Sequence, residues 1–506
     1  MPIKNKTKDI KSMVPVIEEL KKKGKTVVQC HGVFDLLHPG HIRHLQEAKK
    51  QGDILVVTIT PDRFVNKGPG RPVFSELLRQ ETLASLEYVD YACINTWPTA
   101  THAIELLKPD VYVKGIEYAK REDDVTGKIY EEEEAVLNVG GRIHFTEDIT
   151  FSSSSLINAF MNVFPEKTEK WLAEFRQRYS VDDVTGYLDK LKSMKVLVIG
   201  EAIIDEYVFC NGLGKSNKDP ILAFKYNHTE RYAGGSLAVA NHFAGFCDNV
   251  GIVTLAGEKD DQGVFMKQNL KGNVKSYILK HTHAPSLCKR RFVDSHTKAR
   301  MFELYMMEDS LLKSDEDALA DTINGIIDNY DLVCITDYGH GMMTSALVNI
   351  VCKRARFLAV NTQANAGNRG FNTISKYPRA DYVCLAGHEV ALETRMRNAK
   401  YTELILEVIK KIKCDKFTMT SGKDGSIHYD KDGFVKVPAL ATKVVDRVGA
   451  GDAVLAMTSM LVCLGAPWEV TGLLGNAAGA QLVGMLGNKA SLEKVPLIKH
   501  ITAILK

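Results

Sequence analysis

Short apolar runs alternate with helix-spaced apolar positions in two separate stretches of the chain. In the first, KTVVQC (25–30) reads as a strand and HIRHLQEAKKQ (41–51) as the helix after it. DILVVTIT (53–60) and DVYVKG (110–115) read as further strands. The stretch closes near SSSSLINAFMNVF (152–164), where a serine hydroxyl can cap a helix. Residues 165–193 are polar with helical spacing and read as a helical connector. A second stretch opens with KVLVIG (195–200). Apolar runs follow at NVGIVTLAG (249–257), DLVCITD (331–337), RFLAVN (356–361), DYVCLAG (381–387) and KFTMTSG (416–422). Such runs, separated by helical segments, predict parallel sheets. The expectation is an α/β chain of two doubly wound domains, 1–164 and 194–506, joined by the connector.

Composition narrows the function classes. The 506 residues exceed one ordinary core, and 45% hydrophobic with 25% charged residues is usual for globular protein. The 65 basic and 62 acidic side chains leave +3, which gives no field for a nucleic-acid or membrane partner. Glu131 to Glu134 and Lys21 to Lys23 read as solvated helix faces. Ten scattered cysteines form no CxxC pair, which suits reduced thiols in a cytoplasm better than disulfides or a zinc site. MPIKNKTKDIKSM lacks the apolar core of a signal peptide, and no run approaches the roughly 18 apolar residues of a membrane span.

HGVFDLLHPGH (31–41) sits where the first strand hands over to a helix. Pro39 suits a first helical turn, and Gly40 permits close approach of a ligand to the backbone. A helix N-terminus attracts anions through its free amides and its dipole. His38 and His41 add donors to the same phosphates and can strengthen as charge builds on phosphorus. The alternative is that one histidine caps the helix and the other faces solvent.

GVFDLLHPGH resembles the GxFDxxHxGH motif of the cytidylyltransferase-like nucleotidyltransferases, and the likeness runs through most of residues 25–160. The resemblance implies that Gly32, Phe34 and Gly40 border the nucleotide. It places Lys67 and Arg71 of KGPGRP, Lys114 and Gly115 of KPDVYVKG, and the hydroxyls of Ser152, Ser153 and Ser154 near the phosphates. His38, His41 and Lys67 would be catalytic. The implied reaction transfers a nucleotidyl group from ATP or CTP to a phosphorylated alcohol or sugar, with Mg2+ present and pyrophosphate released. It needs no protein nucleophile, because the acceptor phosphate attacks the α-phosphorus. Asp35 has two readings, a place near the acceptor or metal, or a turn cap.

DRVGAGD (446–452) is a second phosphate device. Gly449, Ala450 and Gly451 would present successive amides as an anion nest at the start of a helix. Asp452 is then placed to accept a proton from a hydroxyl attacking a γ-phosphorus. The segment's company resembles the ribokinase-like (PfkB) sugar kinases over residues 195–503. VLVIGEAIIDEYV (196–208) looks like their opening strand, whose aspartate, here Asp205, binds sugar hydroxyls. YAGGSLAVAN supplies Gly234 and Gly235 at the sugar, and RRFVDSHTKARMFEL (290–304) resembles the strand pair across the pocket. TSGKDG looks like the nucleotide-side turn, with Ser421, Gly422 and Gly425, and NAAGAQLVGMLG, with Asn476, the helix beside adenine.

Departures from that pattern are specific. Ala238 stands where an asparagine is usual, with Asn241 following. The NxxE motif that organises magnesium reads AGHE, so Glu389 remains and Ala386 replaces the amide; Val448 replaces a threonine. Asn361, Gln363 and Asn365 are candidates for replacement amides, or belong to a polar loop. Lys289, Arg290, Arg291 and Lys298 suit an acceptor phosphate, or form a solvated strand face. A kinase fused to a nucleotidyltransferase resembles the bifunctional heptose kinase/heptose-phosphate adenylyltransferases of ADP-heptose synthesis, here with the domain order reversed. That resemblance implies ATP, Mg2+ and small sugar phosphates as ligands, and a homodimer. The competing reading is an active nucleotidyltransferase whose kinase-like half binds ligand as a sensor or scaffold.

Overall fold

The computed structural model describes residues 2–65, 70–115, 128–146, 164–260, 262–485 and 487–505. The first predicted strand starts at Val27, past the solvent-facing Lys25, and runs to Gly32 as β2. It belongs to a six-stranded sheet with β1 (Thr7–Asp9), β3 (Ile54–Ile59), β4 (Tyr91–Ile94), β5 (Val111–Gly115) and β6 (Arg142–Thr146). The order is β1-β4-β3-β2-β5-β6 and every pairing is parallel. Val27, Val28, Gln29 and Cys30 are all fully buried, as a strand covered on both faces requires. Buried Gln29 is satisfied through Nε2, which donates to Thr58 Oγ1 at 3.1 Å. From β2 the chain winds one way through β3 and β4, then crosses to β5 and β6 on the other side. The reversal opens a crevice at the carboxyl ends of β2 and β5. Gly32 ends β2, and Lys114 and Gly115 end β5, so topology alone brings these motif segments together.

The chain divides into two compact units, Met1–Val163 with Ile498–Lys506, and Phe164–Leu497. The second contains β7 (Lys195–Gly200), β8 (Ala202–Lys215), β9 (Leu222–Gly235), β10 (Asn249–Gly257), β11 (Val274–His281), β12 (Cys288–Asp294) and β13 (Arg300–Met306). It continues with β14 (Leu332–Asp337), β15 (Leu358–Thr362), β16 (Tyr382–Ala386), β17 (Phe417–Thr420), β18 (Ser426–Asp430) and β19 (Gly433–Val437). Nine strands form one sheet in the order β11-β10-β7-β14-β15-β16-β17-β18-β19, and four form a second in the order β13-β12-β8-β9. The run expected as one opening strand, 196–208, is therefore two strands in two sheets. The break falls beyond Gly200, where a Cβ would lie 2.0 Å from Thr336 O. Winding reverses between β7 and β14, so Asp337, Asn361, Ala386 and Thr420 gather at one sheet end.

The connector forms two helices, Glu166–Arg176 and Val181–Lys190, the second opened by a Ser180–Asp183 capping box. Leu172, Phe175, Val184 and Leu188 turn inward, and Arg178 pairs with Glu469 at 2.8 Å.

Candidate active sites

In the first unit, His38 is extended and immediately precedes the helix Pro39–Lys49, with Pro39 at its first position and Gly40 in its first turn. This geometry puts the His38 and His41 rings in a stack, 4.0 Å between centroids. Phe34, expected at the nucleotide, is buried, with its ring edge-on to His41 at 5.4 Å. Its φ of +49° needs room, and Gly32 supplies it, since a Cβ there would lie 3.0 Å from the Phe34 ring. Gly32 and Phe34 thus pack around the His41 ring at the end of β2.

Asp35 caps a loop distant in sequence. Its Oδ1 accepts from Val73 N at 2.7 Å and Phe74 N at 3.1 Å. Arg71, expected on phosphate, lies with Nη1 3.6 Å from Asp35 Oδ2, both side chains buried. Burial pushes the Arg71 guanidinium below its ordinary value and Asp35 opposes that. Lys114 at the end of β5 pairs with Glu132 at 2.7 Å, and Glu132 also accepts from Tyr112 O–H at 3.2 Å. Both expected cations are thus held by carboxylates at the crevice. Gly115 is the last residue of β5. Lys67, Ser152, Ser153 and Ser154 lie outside the described residues.

In the second unit a cavity of about 320 Å³ is lined by Asp205, Lys289, Arg291, Gly449, Gly451 and Asp452, among others. Gly449 precedes the helix Ala450–Leu464 at φ +80°, and a Cβ there would lie 2.2 Å from Asn488 Oδ1. A Cβ added at Gly451 would meet no atom of the described residues within 4 Å, so the nest faces open space. Asp452 is in the first helical turn and is 8% exposed. Its Oδ1 accepts from Tyr338 O–H and from Gln363 Nε2, each at 3.0 Å. Burial pushes its carboxyl up to about 6, and the two donors oppose the rise.

Asp205 is held on both oxygens, by Arg291 Nη1 on Oδ1 and by Asn488 Nδ2 on Oδ2 at 2.9 Å. Arg291 Nε also donates to Glu303 at 3.0 Å. Gly234 is required here, because a Cβ would lie 2.1 Å from Asp205 Oδ2. Gly235 turns the chain at φ +58°, over Glu201 O. Of the four basic residues weighed for an acceptor phosphate, Lys289 and Arg291 line the cavity. Arg290 pairs with Glu206, and Lys298 lies over the Phe209 ring. Asn241 is a correction: it fastens the 269–271 segment, donating to Asn269 O at 2.8 Å and accepting from Lys271 N at 2.9 Å. Both ends of its amide are spent there, and it does not line the cavity.

The nucleotide-side turn has Gly422 at φ +53° and Gly425 at φ +88°. Ser421 O–H donates to Tyr401 Oη at 3.2 Å. Asn476 Nδ2 donates to Val437 O at 3.1 Å and Pro438 O at 2.9 Å, which ties this region together. Thr420, just before the turn, lines the cavity.

Glu389 accepts from Ala386 N at 2.8 Å and Ala364 N at 3.2 Å, and burial pushes it up to about 7. Asn361 Nδ2 donates to Cys384 O at 2.7 Å, while its buried Oδ1 has no partner among the described residues. Both side chains line the cavity. An orphan carbonyl oxygen and a carboxylate lining one cavity are oxygen donors of the kind that suits Mg2+. Sequence reasoning assigned no role to Tyr338 or Asn488. The signal for Tyr338 was its place directly after β14, at the carboxyl end of a central strand. Asn488 carried none.

Two family models match the chain. Residues 193–495 match the pfkB family carbohydrate kinase model, and residues 30–160 match the cytidylyltransferase-like model. Curated relatives include the Bifunctional protein HldE of Geobacter metallireducens, 37% identical over 168 residues, covering 32% of this chain and 32% of that protein. The protein of the same name from Campylobacter fetus is 43% identical over 121 residues, covering 23% of this chain and 26% of that protein. The matched segments thus span about a third or less of those relatives. A crystal structure of phosphofructokinase-2 from Escherichia coli with fructose-6-phosphate superimposes with a TM-score of 0.51 at 13% identity, covering 62% of this chain and 100% of that one. At that identity the likeness speaks for the fold alone. Among the described residues no helix is long and apolar enough to cross a membrane.

Proposed function

The chain belongs to the pfkB carbohydrate kinase family, and on that premise we propose that it is a bifunctional transferase. Its kinase half, 194–506, phosphorylates a sugar or sugar phosphate with ATP. Its N-terminal half, 1–164, transfers a nucleotidyl group from ATP or CTP to the sugar 1-phosphate, releasing pyrophosphate. The relatives named Bifunctional protein HldE support an ADP-heptose type of pathway. The observation that carries the kinase reading is Asp452, buried beside the open Gly451 nest in one cavity with Asp205 and two cations.

In the kinase half, Asp205 and Arg291 orient the acceptor and Lys289 neutralises its anionic end. Asp452 takes the hydroxyl proton as oxygen attacks the γ-phosphorus. The amides of Gly449, Ala450 and Gly451 receive the charge that develops on the transferred group. Glu389 and Asn361 would hold Mg2+, which supplies charge neutralisation on the triphosphate when bound. In the N-terminal half, His38 and His41 donate to the α-phosphate as the acceptor phosphate attacks it, with the helix N-terminus adding its field. Both sites take small anionic ligands.

The four-stranded sheet exposes Leu213, Leu222, Tyr226, Phe302 and Leu304, which supports a homodimer closed over this face. All ten cysteines are free, which supports a cytoplasmic setting. The test is to incubate the protein with heptose 7-phosphate, heptose 1-phosphate and other sugar phosphates, with each nucleoside triphosphate, and identify products by mass. Asp452→Asn should abolish phosphorylation and spare nucleotidyl transfer. Phosphorylation persisting in that variant, or a sensor-like parent that binds sugar phosphates without forming ADP, would overturn the kinase assignment.

A further inference from the structure

We infer that Tyr338 and Gln363 are positioning residues for phosphoryl transfer, holding one oxygen of Asp452 so that the other is aimed at the acceptor hydroxyl. The inference rests on the reading of Asp452 as the base. Both donors reach the same Oδ1, at 3.0 Å each, and Oδ2 carries none of the described hydrogen bonds. A carboxylate held at one oxygen by two donors from different directions cannot rotate about χ2 without losing one of them. Fixing the reacting atom in this way lowers the barrier more than an equal gain in binding would.

The two donors come from one rigid clamp. Tyr338 follows the last residue of β14 and Gln363 the last residue of β15, and these strands pair in parallel. Gln363 N extends the ladder by donating to Asp337 O at 2.8 Å. Beneath it, Glu201 accepts from Tyr338 N at 2.9 Å and His340 N at 3.1 Å. Asn365 and Asn368 donate to Tyr338 O at 2.8 and 2.7 Å. Asn372 Nδ2 donates to Asp337 O at 3.0 Å and Gln363 O at 3.2 Å. The polar loop after β15 thus locks both donors in place. Tyr338 is 4% exposed, and burial with nearby Asp452 drives its hydroxyl well above its ordinary value, so it stays a donor.

The other groups that face Asp452 act through charge or are neutral. Asp205 from β8 raises its proton affinity and Lys289 from β12 lowers it. Glu389, beyond β16, is raised mainly by burial, with a small further rise from Asp452. The thiols of Cys334 and Cys384 are driven up by burial and stay protonated. Tyr338 and Gln363 are the neutral donors that favour the ionised carboxylate.

Tyr338→Phe keeps the ring and removes only the donor. It should move the acid limb of the ADP-release profile, with heptose 7-phosphate as acceptor, up by about one pH unit and leave the KM for ATP unchanged. Gln363→Glu replaces the donor with a carboxylate and should move the limb further. The same displacement should appear without any acceptor in a carboxyl carbon-13 NMR titration, with the Asp452 signal assigned by its loss in Asp452→Asn. An unmoved limb and an unmoved Asp452 titration in both variants would overturn the inference. Should Tyr338→Phe fail to fold, Gln363→Glu, on the partly exposed loop, decides it. If Asp452→Asn still phosphorylates, the base assignment fails first. If it is dead while both variants titrate like the parent, only the positioning role fails.

Discussion

Asp452→Asn should make the kinase unit more stable at alkaline pH while it abolishes phosphorylation. Burial raises the Asp452 carboxyl to about 6 from an ordinary 3.8. The folded chain therefore binds this proton more tightly than the unfolded chain. Below the unfolded value both states are protonated and there is no penalty. As pH rises from there through the folded value, stability is lost, and above it the whole loss is present. A shift of roughly two units corresponds to about 3 kcal/mol. Asparagine is close in shape and keeps an oxygen that accepts from Tyr338 and Gln363, so it removes the charge and little else. For a unit of about 330 residues, an unfolding entropy near 2.1 cal/mol/K per residue converts this to a Tm increase of about 4 °C. The assay is scanning calorimetry of the whole chain at pH 8 and at pH 4.5, following the transition of Phe164–Leu497. The gain should be full at pH 8 and small at pH 4.5. A variant no more stable than the parent at pH 8, or a gap that widens toward acid, would refute the argument that desolvation dominates here.

Three further outcomes are expected. His41→Ala should lower nucleotidyl transfer by about 10²-fold, the scale of one lost transition-state donor, and leave phosphorylation intact; pyrophosphate release against ADP release reads both. Arg291→Ala strands buried Asp205 and should cost about 3–5 kcal/mol of stability by chemical denaturation, whereas Asp205→Asn should cost less because Arg291 keeps Glu303. Gly425→Ala places a Cβ 2.1 Å from Val437 O at φ +88°, and should lower stability by about 1–3 kcal/mol and raise the KM for ATP; an unchanged KM would place this turn away from the nucleotide.

What could be read from sequence followed from period and punctuation. NVGIVTLAG spans β10 residue for residue because a mainly apolar run rich in β-branched residues, too short for an ordinary helix and closed by glycine, favours a buried strand. The antiparallel pair at 290–304 was equally visible, since a turn-forming DSHTK sits between its two arms. The split of VLVIGEAIIDEYV into β7 and β8 was not. Its cause lies in Thr336, which crowds Gly200 from a strand more than a hundred residues later. β1 and β18 were missed because three- and five-residue strands at or near a sheet edge carry too little pattern to stand out.

The site divides along the same line between local and distant causes. Motif glycines declared themselves because their reasons are partly local: Gly449 and Gly425 need positive φ, and the nest before Asp452 is contiguous in sequence. Residues whose work depends on partners far along the chain did not. Arg71 and Lys114 were legible as basic motif positions, but nothing in their motifs announced Asp35 and Glu132 beside them. Asn241 looked like a stand-in for the amide missing at Ala238, yet one helical turn carries it to Asn269 instead. Tyr338 and Gln363 reach Asp452 across separations of 114 and 89 residues, so no spacing rule could pair them. What joins them is the parallel pairing of β14 and β15, whose carboxyl ends lie side by side next to the point where the winding reverses. Chemistry at such a point is assembled from strand ends, and each strand end looks in sequence like an ordinary turn.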